Sequence, residues 1–443
     1  MAAGQPSLEL RLARGISWSA AGAVISSGLA FAASFPVARL LGQSAFGELA
    51  IIQSTVGLFA TFAGFGLGIV TTKLVAEFRG HSEARVVRIV VLSLALSVLT
   101  GSLTCGALFA MSPRLAETML AAAHLATAMR VGSILLLIGA IDGVLIGGLA
   151  GWEDFKSITV ASFAKGLCAF PCLVGGAYLG GLEGAVWGLV VTALAGVLVS
   201  GTLVGKQLGR SLVRDVELLT CLGEWRAVAQ IGLPVLTSTA VFAGGEWASS
   251  AILANQTNGY AELAIFTAAN RIFAALLLLS SLLNKPLVPV VAEQMRNADR
   301  GQAARVVGLA MKMNAVVILP LVLMAAILSP LVMALFGTDF VRGWPTLVVV
   351  LFTAGIAAVL GPIGHWIVAS GRAWVNALQY SVWAATFVSL TYLLVPWGAQ
   401  GLVTARAAAY SIHGVLVVLF ASRHIFPTDR LSARTEVHLR VTR

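Results

Sequence analysis

Six ionisable side chains lie inside long apolar stretches of the sequence, where an isolated charge is unfavourable. In a helix surrounded by lipid, each would cost about 2.5–3.5 kcal/mol at the helix centre. We therefore expect these groups to face one another or a water-filled cavity. Four are cations and two are carboxylates, and the six are Asp142, Lys165, Glu246, Arg271, Lys312 and Arg406.

The excess of positive charge predicts a site for an anionic ligand. Arg271 lies near the middle of its stretch, and its planar guanidinium matches the oxygens of a phosphate group. Polar residues from Thr267 to Asn284 recur on the same helical face as Arg271, so this helix should turn that face inward. The candidate binding residues are Arg271, Lys165, Arg39, Lys312 and Asn270.

The two carboxylates allow two interpretations. Asp142 could pair with Lys165, and Glu246 with Arg271, which would neutralise charge inside the helices. Either carboxylate could instead bind a proton or Na⁺, because a low dielectric favours the neutral form of a carboxyl group. We therefore regard Asp142 and Glu246 as candidates for ion coupling. Lys312 and Arg406 lie close enough to a segment end for their charges to reach the interface.

The composition places these charges in a membrane protein. Hydrophobic residues make up 58% of the 443 residues and charged residues 11%, and the mean hydropathy is +0.92. A soluble protein carries about 25% charged residues because its surface faces water. Most of this surface must therefore face lipid, which predicts an all-α integral membrane protein.

Twelve segments are long and apolar enough to cross a bilayer core of about 30 Å. The segments at 306–336 and 343–370 exceed one span, so each should extend beyond the membrane or include an interfacial turn. The twelve are 16–38, 47–71, 89–111, 131–150, 157–180, 184–205, 229–253, 259–284, 306–336, 343–370, 374–396 and 399–421.

The distribution of Lys and Arg predicts cytoplasmic N- and C-termini. With that orientation, 21 of these residues lie on the cytoplasmic side and four on the opposite side, as the positive-inside rule requires. Topology and attraction to anionic membrane lipids then account for the net charge of +10. A nucleic-acid partner is not needed to explain it.

A phrase near the start of the second segment recurs six segments later. "SAFGELAI" begins at Ser44 and "NGYAELAI" begins at Asn258, 214 residues further on. "GLEGAVWG" at Gly181 and "GAQGLVTA" at Gly398 repeat at nearly the same offset. We therefore predict two parallel six-helix bundles around a central cavity, at 1–205 and 227–443, joined by a cytoplasmic linker at 206–226.

Several stretches resemble the polysaccharide flippases, the O-antigen and exopolysaccharide branch of the multidrug/oligosaccharidyl-lipid/polysaccharide exporter superfamily. The resemblance covers nearly the whole chain in order. It rests on "ARLLGQSAFGELA" (38–50), "GFGLG" (64–68), "GLAGWEDF" (148–155), "ANRI" (269–272) and "KPLVPVVAE" (285–293).

This resemblance implies a transporter that moves an undecaprenyl-diphosphate-linked oligosaccharide from the inner to the outer leaflet of the bacterial cytoplasmic membrane by alternating access. Arg39 and Arg271 match family positions, whereas Lys165 and Lys312 rest on the charge pattern alone. Expected partners are the lipid-linked substrate, membrane lipids, a polysaccharide polymerase and chain-length machinery. A lipid II-type flippase and a multidrug exporter of the same fold are the alternatives, although a cation excess disfavours the exporter because its ligands are cationic.

An enzyme acting on the same lipid is a less favoured class. Such enzymes need a sizeable external region, and the longest external connection here, Ser112 to Arg130, should hold only an interfacial helix. The six histidines and four cysteines show no spacing typical of a metal site, and no nucleophile motif accompanies them. We therefore expect no catalytic residues, no bound metal and no cofactor.

Overall fold

A computed structural model describes residues 8–210, 225–284, 300–369 and 373–424. Within these ranges the chain forms helices and short turns, and no strand occurs among them, so the predicted all-α class is confirmed. In chain order the helices are α1 (Leu8–Gly64), α2 (Leu67–Phe78), α3 (Glu83–Arg114), α4 (Leu125–Gly151), α5 (Phe155–Arg210), α6 (Trp225–Ala254), α7 (Gly259–Asn284), α8 (Arg300–Ile327), α9 (Ser329–Ala334), α10 (Trp344–Ala369), α11 (Ala373–Leu394) and α12 (Gly398–His424).

Two of the helices are kinked at glycines. The kink in α1 lies at Gly42, whose φ is 76°, and the kink in α5 lies at Gly181, whose φ is 56°. A side chain disfavours such positive φ values, and glycine adopts them freely. Each kink separates two of the segments predicted to cross the membrane. Eight helical stretches of the described residues are long and apolar enough to do so, so the total of about twelve stays a prediction.

Polar side chains define where two of these helices begin. Ser82 accepts a hydrogen bond from the backbone N–H of Arg85 at the start of α3. Asp154 accepts from the N–H of Ser157 at 3.1 Å at the start of α5. Each side chain satisfies a donor that the first helical turn leaves free. Asp154 also accepts from Gln207 at 2.8 Å, which ties the two ends of α5 together.

The structure describes two predicted connections. The helix in the long segment at 306–336 breaks before α9, and a 3₁₀ turn at Thr338–Gly343 leads into the segment at 343–370; that this turn is interfacial stays a prediction. The interfacial helix expected between Ser112 and Arg130 is wrong, because α3 continues into a single π-helical turn at Leu115–Met119. Contacts from the second half of the chain hold this turn, as described below.

The helices pack largely within each half of the chain. In the first half α1 packs on α5, α3 on α4, and α4 on α5; in the second half α6 packs on α11, α8 on α10, and both α10 and α11 on α12. The halves meet where α1 packs against α6 and α7. Residues 211–224 of the predicted linker and the tail at 425–443 lie outside the described residues, so the domain boundaries stay a prediction.

Candidate functional site

A cavity of about 460 Å³ lies where α1, α4 and α5 meet α7. Lys165 of α5 and Arg271 of α7 line it, together with polar residues that include Ser26 and Gln53 and a larger number of apolar side chains. Among the described residues that line it, no acidic side chain occurs. We call it the cationic cavity. It brings together two cations that are 106 positions apart in the sequence and belong to different halves of the chain.

Arg271 enters the cationic cavity without an ionic partner. Its Nη2 donates a hydrogen bond to Gln53 Oε1 at 2.8 Å, and no carboxylate of the described residues forms a salt bridge with it. Its Nε is buried and has no hydrogen-bond partner. A buried guanidinium held only by a neutral amide is unfavourable until an anion compensates its charge. An anion at this position would satisfy the unpaired Nε and compensate the charge.

Lys165 is paired but still faces the cavity. Its Nζ donates to Asp142 Oδ2 at 3.2 Å, and its side chain is 43% exposed. Asp142 Oδ1 accepts from the Ser200 hydroxyl at 3.2 Å. An ammonium group has three donors, so Lys165 keeps donors for a ligand while it contacts Asp142. The expected pair between Asp142 and Lys165 is therefore present, and it borders the cavity.

The other three candidate binding residues do not line the cationic cavity. Arg39 is exposed, and its Nη2 donates to the carbonyl oxygen of Ala334 at 3.2 Å. Lys312 is exposed on α8. Asn270 precedes Arg271 in the sequence, but its Oδ1 accepts from Arg406 at 2.7 Å. Their positions separate them from the site formed by Lys165 and Arg271.

Arg406 and Glu246 form a buried ion pair inside the second half. The distance from Arg406 Nη2 to Glu246 Oε1 is 3.1 Å, and Arg406 is only 4% exposed. Its guanidinium lies 4.5 Å from the ring centroid of Phe273, which favours a desolvated cation. The expectation that Arg406 reaches the interface is therefore wrong. The alternative pair between Glu246 and Arg271 is also wrong, because Arg406 occupies the position beside the carboxylate.

A mostly apolar groove of about 720 Å³ runs between α1 and α7. Val24, Gly28 and Phe31 line it from α1, and leucines from Leu277 to Leu282 line it from α7. Arg271 borders both this groove and the cationic cavity. The Arg271 guanidinium therefore lies where the cationic cavity and the apolar groove meet.

Contacts between the halves concentrate at one face of the molecule, where α1 is kinked. We define this sealed face as residues 39–47 and 115–124 of the first half and residues 255–262 and 334–343 of the second half. Tyr260 donates its hydroxyl to the Leu120 carbonyl at 2.6 Å, and Asn255 donates to the Met119 carbonyl at 2.5 Å. In the opposite direction Phe46 packs edge-on to Phe340, with ring centroids 5.9 Å apart. The hydrogen bonds from Tyr260 and Asn255 fix the end of the π-helical turn, which occurs where an interfacial helix was expected.

Sequence reasoning missed the neutral residues that position the charges. Gln53 binds Arg271, and Thr55 accepts a hydrogen bond from the Trp247 indole at 3.0 Å. Both contacts cross between the halves. Gln53 and Thr55 are polar residues in the apolar segment at 47–71, and that contrast is the signal that could have identified them.

The sequence of this chain matches the profile of one protein family over more than half of its length. The sequence profile of the family described as "Polysaccharide biosynthesis protein" matches residues 12–295. None of the curated proteins matches the chain.

Several solved membrane transporters share the fold. An inward-facing multidrug resistance MATE family transporter of the MOP superfamily has a TM-score of 0.72 at 17% identity, covering 90% of this chain and 94% of that chain. The eukaryotic MATE transporter AtDTX14 has a TM-score of 0.73 at 15% identity, covering 96% and 98%. A MOP superfamily transporter from Pyrococcus furiosus, described as having a binding pocket of reverse polarity, has a TM-score of 0.64 at 17% identity, covering 94% and 95%. At these identities the likeness shows the fold.

Proposed function

Because this multi-pass membrane protein belongs to the polysaccharide biosynthesis protein family, we propose that it flips an undecaprenyl-diphosphate-linked oligosaccharide from the inner to the outer leaflet of the bacterial cytoplasmic membrane by alternating access. The observation that carries this proposal is the meeting of Lys165 and Arg271 in one cavity between the halves. The MATE-like fold supports it, since two packed halves suit rocking about a central site.

The cationic cavity suits a diphosphate. The guanidinium of Arg271 can bind two phosphate oxygens with parallel N–H donors, and Lys165 supplies a mobile ammonium. The ligand would satisfy the buried Arg271 Nε, which has no partner in the structure. No carboxylate lines the cavity, and Lys165 is paired with Asp142, so the remaining charge is that of Arg271, which disfavours the cationic drugs of a multidrug exporter.

The groove between α1 and α7 suits the polyprenyl chain. A flippase of this kind must hold a charged head group in a polar space while the lipid tail stays in the bilayer. The apolar lining from Gly28 to Phe31 and from Leu277 to Leu282 meets the cationic cavity at Arg271. In this proposal the tail lies in the groove and the diphosphate lies at Arg271.

We further propose that both termini are cytoplasmic and that the sealed face is the periplasmic side. Lys and Arg predominate in the connections on the opposite side, as the positive-inside rule requires. The contacts of the sealed face must then separate when the cavity opens outward. Asp142 and Glu246 are the candidate sites for coupling to a proton or Na⁺, and a polysaccharide polymerase with its chain-length machinery would receive the product.

A reconstituted flipping assay tests the proposal. Arg271→Gln and Lys165→Gln should each lower the rate of translocation of undecaprenyl-diphosphate-linked oligosaccharide in proteoliposomes by at least about tenfold, the loss expected for one charge-assisted contact. Arg305→Gln and Lys73→Gln are matched controls, because both residues are exposed and outside the cationic cavity.

The result distinguishes the alternatives. Wild-type rates in the Arg271→Gln variant would remove the cationic cavity from the mechanism. Supplying lipid II in the same assay distinguishes a lipid II-type flippase from a polysaccharide flippase. The two lipids share the diphosphate but carry different head groups. Faster translocation of lipid II than of the oligosaccharide lipid would favour that alternative.

A further inference from the structure

A second chamber lies in the C-terminal half, enclosed by α7, α10, α11 and α12. Its volume is about 320 Å³, at the lower end of the range of about 300–1,000 Å³ for small-molecule pockets. Among the described residues that line it, no lysine, arginine, aspartate or glutamate occurs. The chamber therefore differs from the cationic cavity in charge, and we call it the neutral chamber.

Aromatic rings form one wall of the neutral chamber. Tyr380 and His413 are stacked, with ring centroids 5.3 Å apart and an interplanar angle of 18°. Trp383 meets Tyr410 edge-to-face at 5.5 Å, and Phe242 stacks against Trp383 at 4.8 Å. This packing holds the rings in fixed orientations, so the wall is preorganised for an aromatic–ligand contact.

Hydrogen-bonding groups also line the neutral chamber. Asn314 donates to Asn284 Oδ1 and accepts from the Ser280 hydroxyl, both at 2.7 Å, which fixes the two side chains that line the chamber. Asn376 also lines it from α11. Such amide and hydroxyl groups can both donate and accept hydrogen bonds.

Two lining residues carry buried polar atoms that have no partner. The Nε1 of Trp383 and the Nδ1 of His413 are buried without a hydrogen bond, and Trp383 is only 1% exposed. Buried polar atoms are nearly always hydrogen-bonded in folded proteins. A chamber lined by aromatic rings, unpaired polar atoms, amides and hydroxyls matches a ligand that presents both C–H groups and hydroxyls.

We propose that the neutral chamber binds one uncharged sugar ring of the lipid-linked saccharide. A pyranose ring places C–H groups on its faces and hydroxyls on its edges, so the ring of Tyr380 and the side chain of Asn376, both partly exposed, can contact it together. The volume accommodates a single ring rather than a complete oligosaccharide. This inference rests on the proposed function and assigns the saccharide part of that substrate.

The positions of the three spaces make this assignment geometrically possible. The neutral chamber and the apolar groove share Leu277 and Ser281. The groove and the cationic cavity share Arg271. A substrate whose diphosphate lies at Arg271 can therefore extend its sugar along α7 into the chamber while its lipid tail leaves through the groove.

Binding measurements with two lipids test the proposal. The full-length protein in lipid nanodiscs would be titrated with bare undecaprenyl diphosphate and with lipid-linked saccharide extracted from the source cells. Asn376→Ala removes a hydrogen-bonding group and Tyr380→Leu removes the aromatic ring, so each should weaken binding of the saccharide lipid by about tenfold and should leave binding of the bare lipid unchanged. Tyr392→Leu is the matched control, because Tyr392 is 73% exposed and does not line the chamber.

An Arg271→Gln variant measured in parallel separates this inference from the proposed function. If Arg271→Gln weakens binding of both lipids while both chamber variants bind the saccharide lipid like the wild type, the chamber assignment is overturned and the function stands. Equal loss of both lipids in the chamber variants, or equal affinity of the wild type for both lipids, also overturns it. If the wild type binds neither lipid, the proposed function itself fails.

Discussion

The backbone of Tyr260 packs directly against Gly47, so closely that any side chain at Gly47 would overlap the Tyr260 carbonyl oxygen. The two residues belong to the two copies of the repeated phrase, and they lie on opposite halves of the chain. Phe46 and Tyr260 occupy equivalent positions of the repeat, and each reaches across to the other half. The two copies of the repeated phrase therefore contact each other and help to close the sealed face.

We predict that Gly47→Val separates the halves at this face. Overpacking of a close contact typically costs about 1–3 kcal/mol, so the midpoint of thermal unfolding in detergent should fall clearly below that of the wild type. Gly106→Val is the matched control, because no atom lies within 4 Å of a side chain placed there. Equal midpoints for the two variants would show that the contact at Gly47 adjusts freely.

A large side chain in the apolar groove should block the lipid tail. Gly28 lines the groove, and a side chain at this position meets no atom within 4 Å. Gly28→Phe should therefore reduce flipping strongly while the protein remains as stable as the wild type. Gly106→Phe places the same ring in open space on α3 and should flip normally. Unchanged flipping by Gly28→Phe would contradict a tail in this groove.

Removing the carboxylate of Asp142 should strengthen binding of the diphosphate. Asp142 and a ligand compete for the Lys165 ammonium, which lies 3.2 Å from Asp142 Oδ2. Because a partly exposed ion pair contributes up to about 1 kcal/mol, Asp142→Asn should tighten binding of undecaprenyl diphosphate by up to about fivefold. Titration in nanodiscs measures this change.

Ser200→Ala provides the control for that experiment, since it removes a hydrogen bond to Asp142 and leaves the carboxylate in place. It should bind the lipid like the wild type.

Flipping driven by a proton or Na⁺ gradient should also become independent of the gradient in Asp142→Asn. An unchanged gradient dependence would remove Asp142 from ion coupling.

The buried pair of Glu246 and Arg406 should be sensitive to the loss of either partner. Arg406 is almost fully buried and lies 3.1 Å from Glu246, so Glu246→Gln would leave its charge uncompensated at a cost of about 3–5 kcal/mol. We expect a large fall in the amount of folded protein, measured by size-exclusion chromatography. The double variant Glu246→Leu, Arg406→Met should recover much of it. A fully stable Glu246→Gln protein would instead support an exchangeable proton at Glu246.

The residue pattern identified the class of protein and the residues worth testing. The low charge content predicts a membrane protein because a surface in contact with lipid must be apolar. The repeated phrase predicts duplication, and the isolated charges at Lys165 and Arg271 predict an anion site. Each of these inferences depends on local composition or spacing, which the chain carries without reference to its fold.

The tertiary structure alone decided the partner of each charge. Helical spacing shows which face of its own helix carries Arg271 or Arg406. Which residue of another helix meets that face depends on how the neighbouring helices rotate and pack. For this reason Glu246 pairs with Arg406, whereas Arg271 donates a hydrogen bond to the neutral amide of Gln53. Lys312 is exposed and does not line the cavity for the same reason. Rotation of each helix follows from contacts between residues far apart in the chain, which no local pattern records.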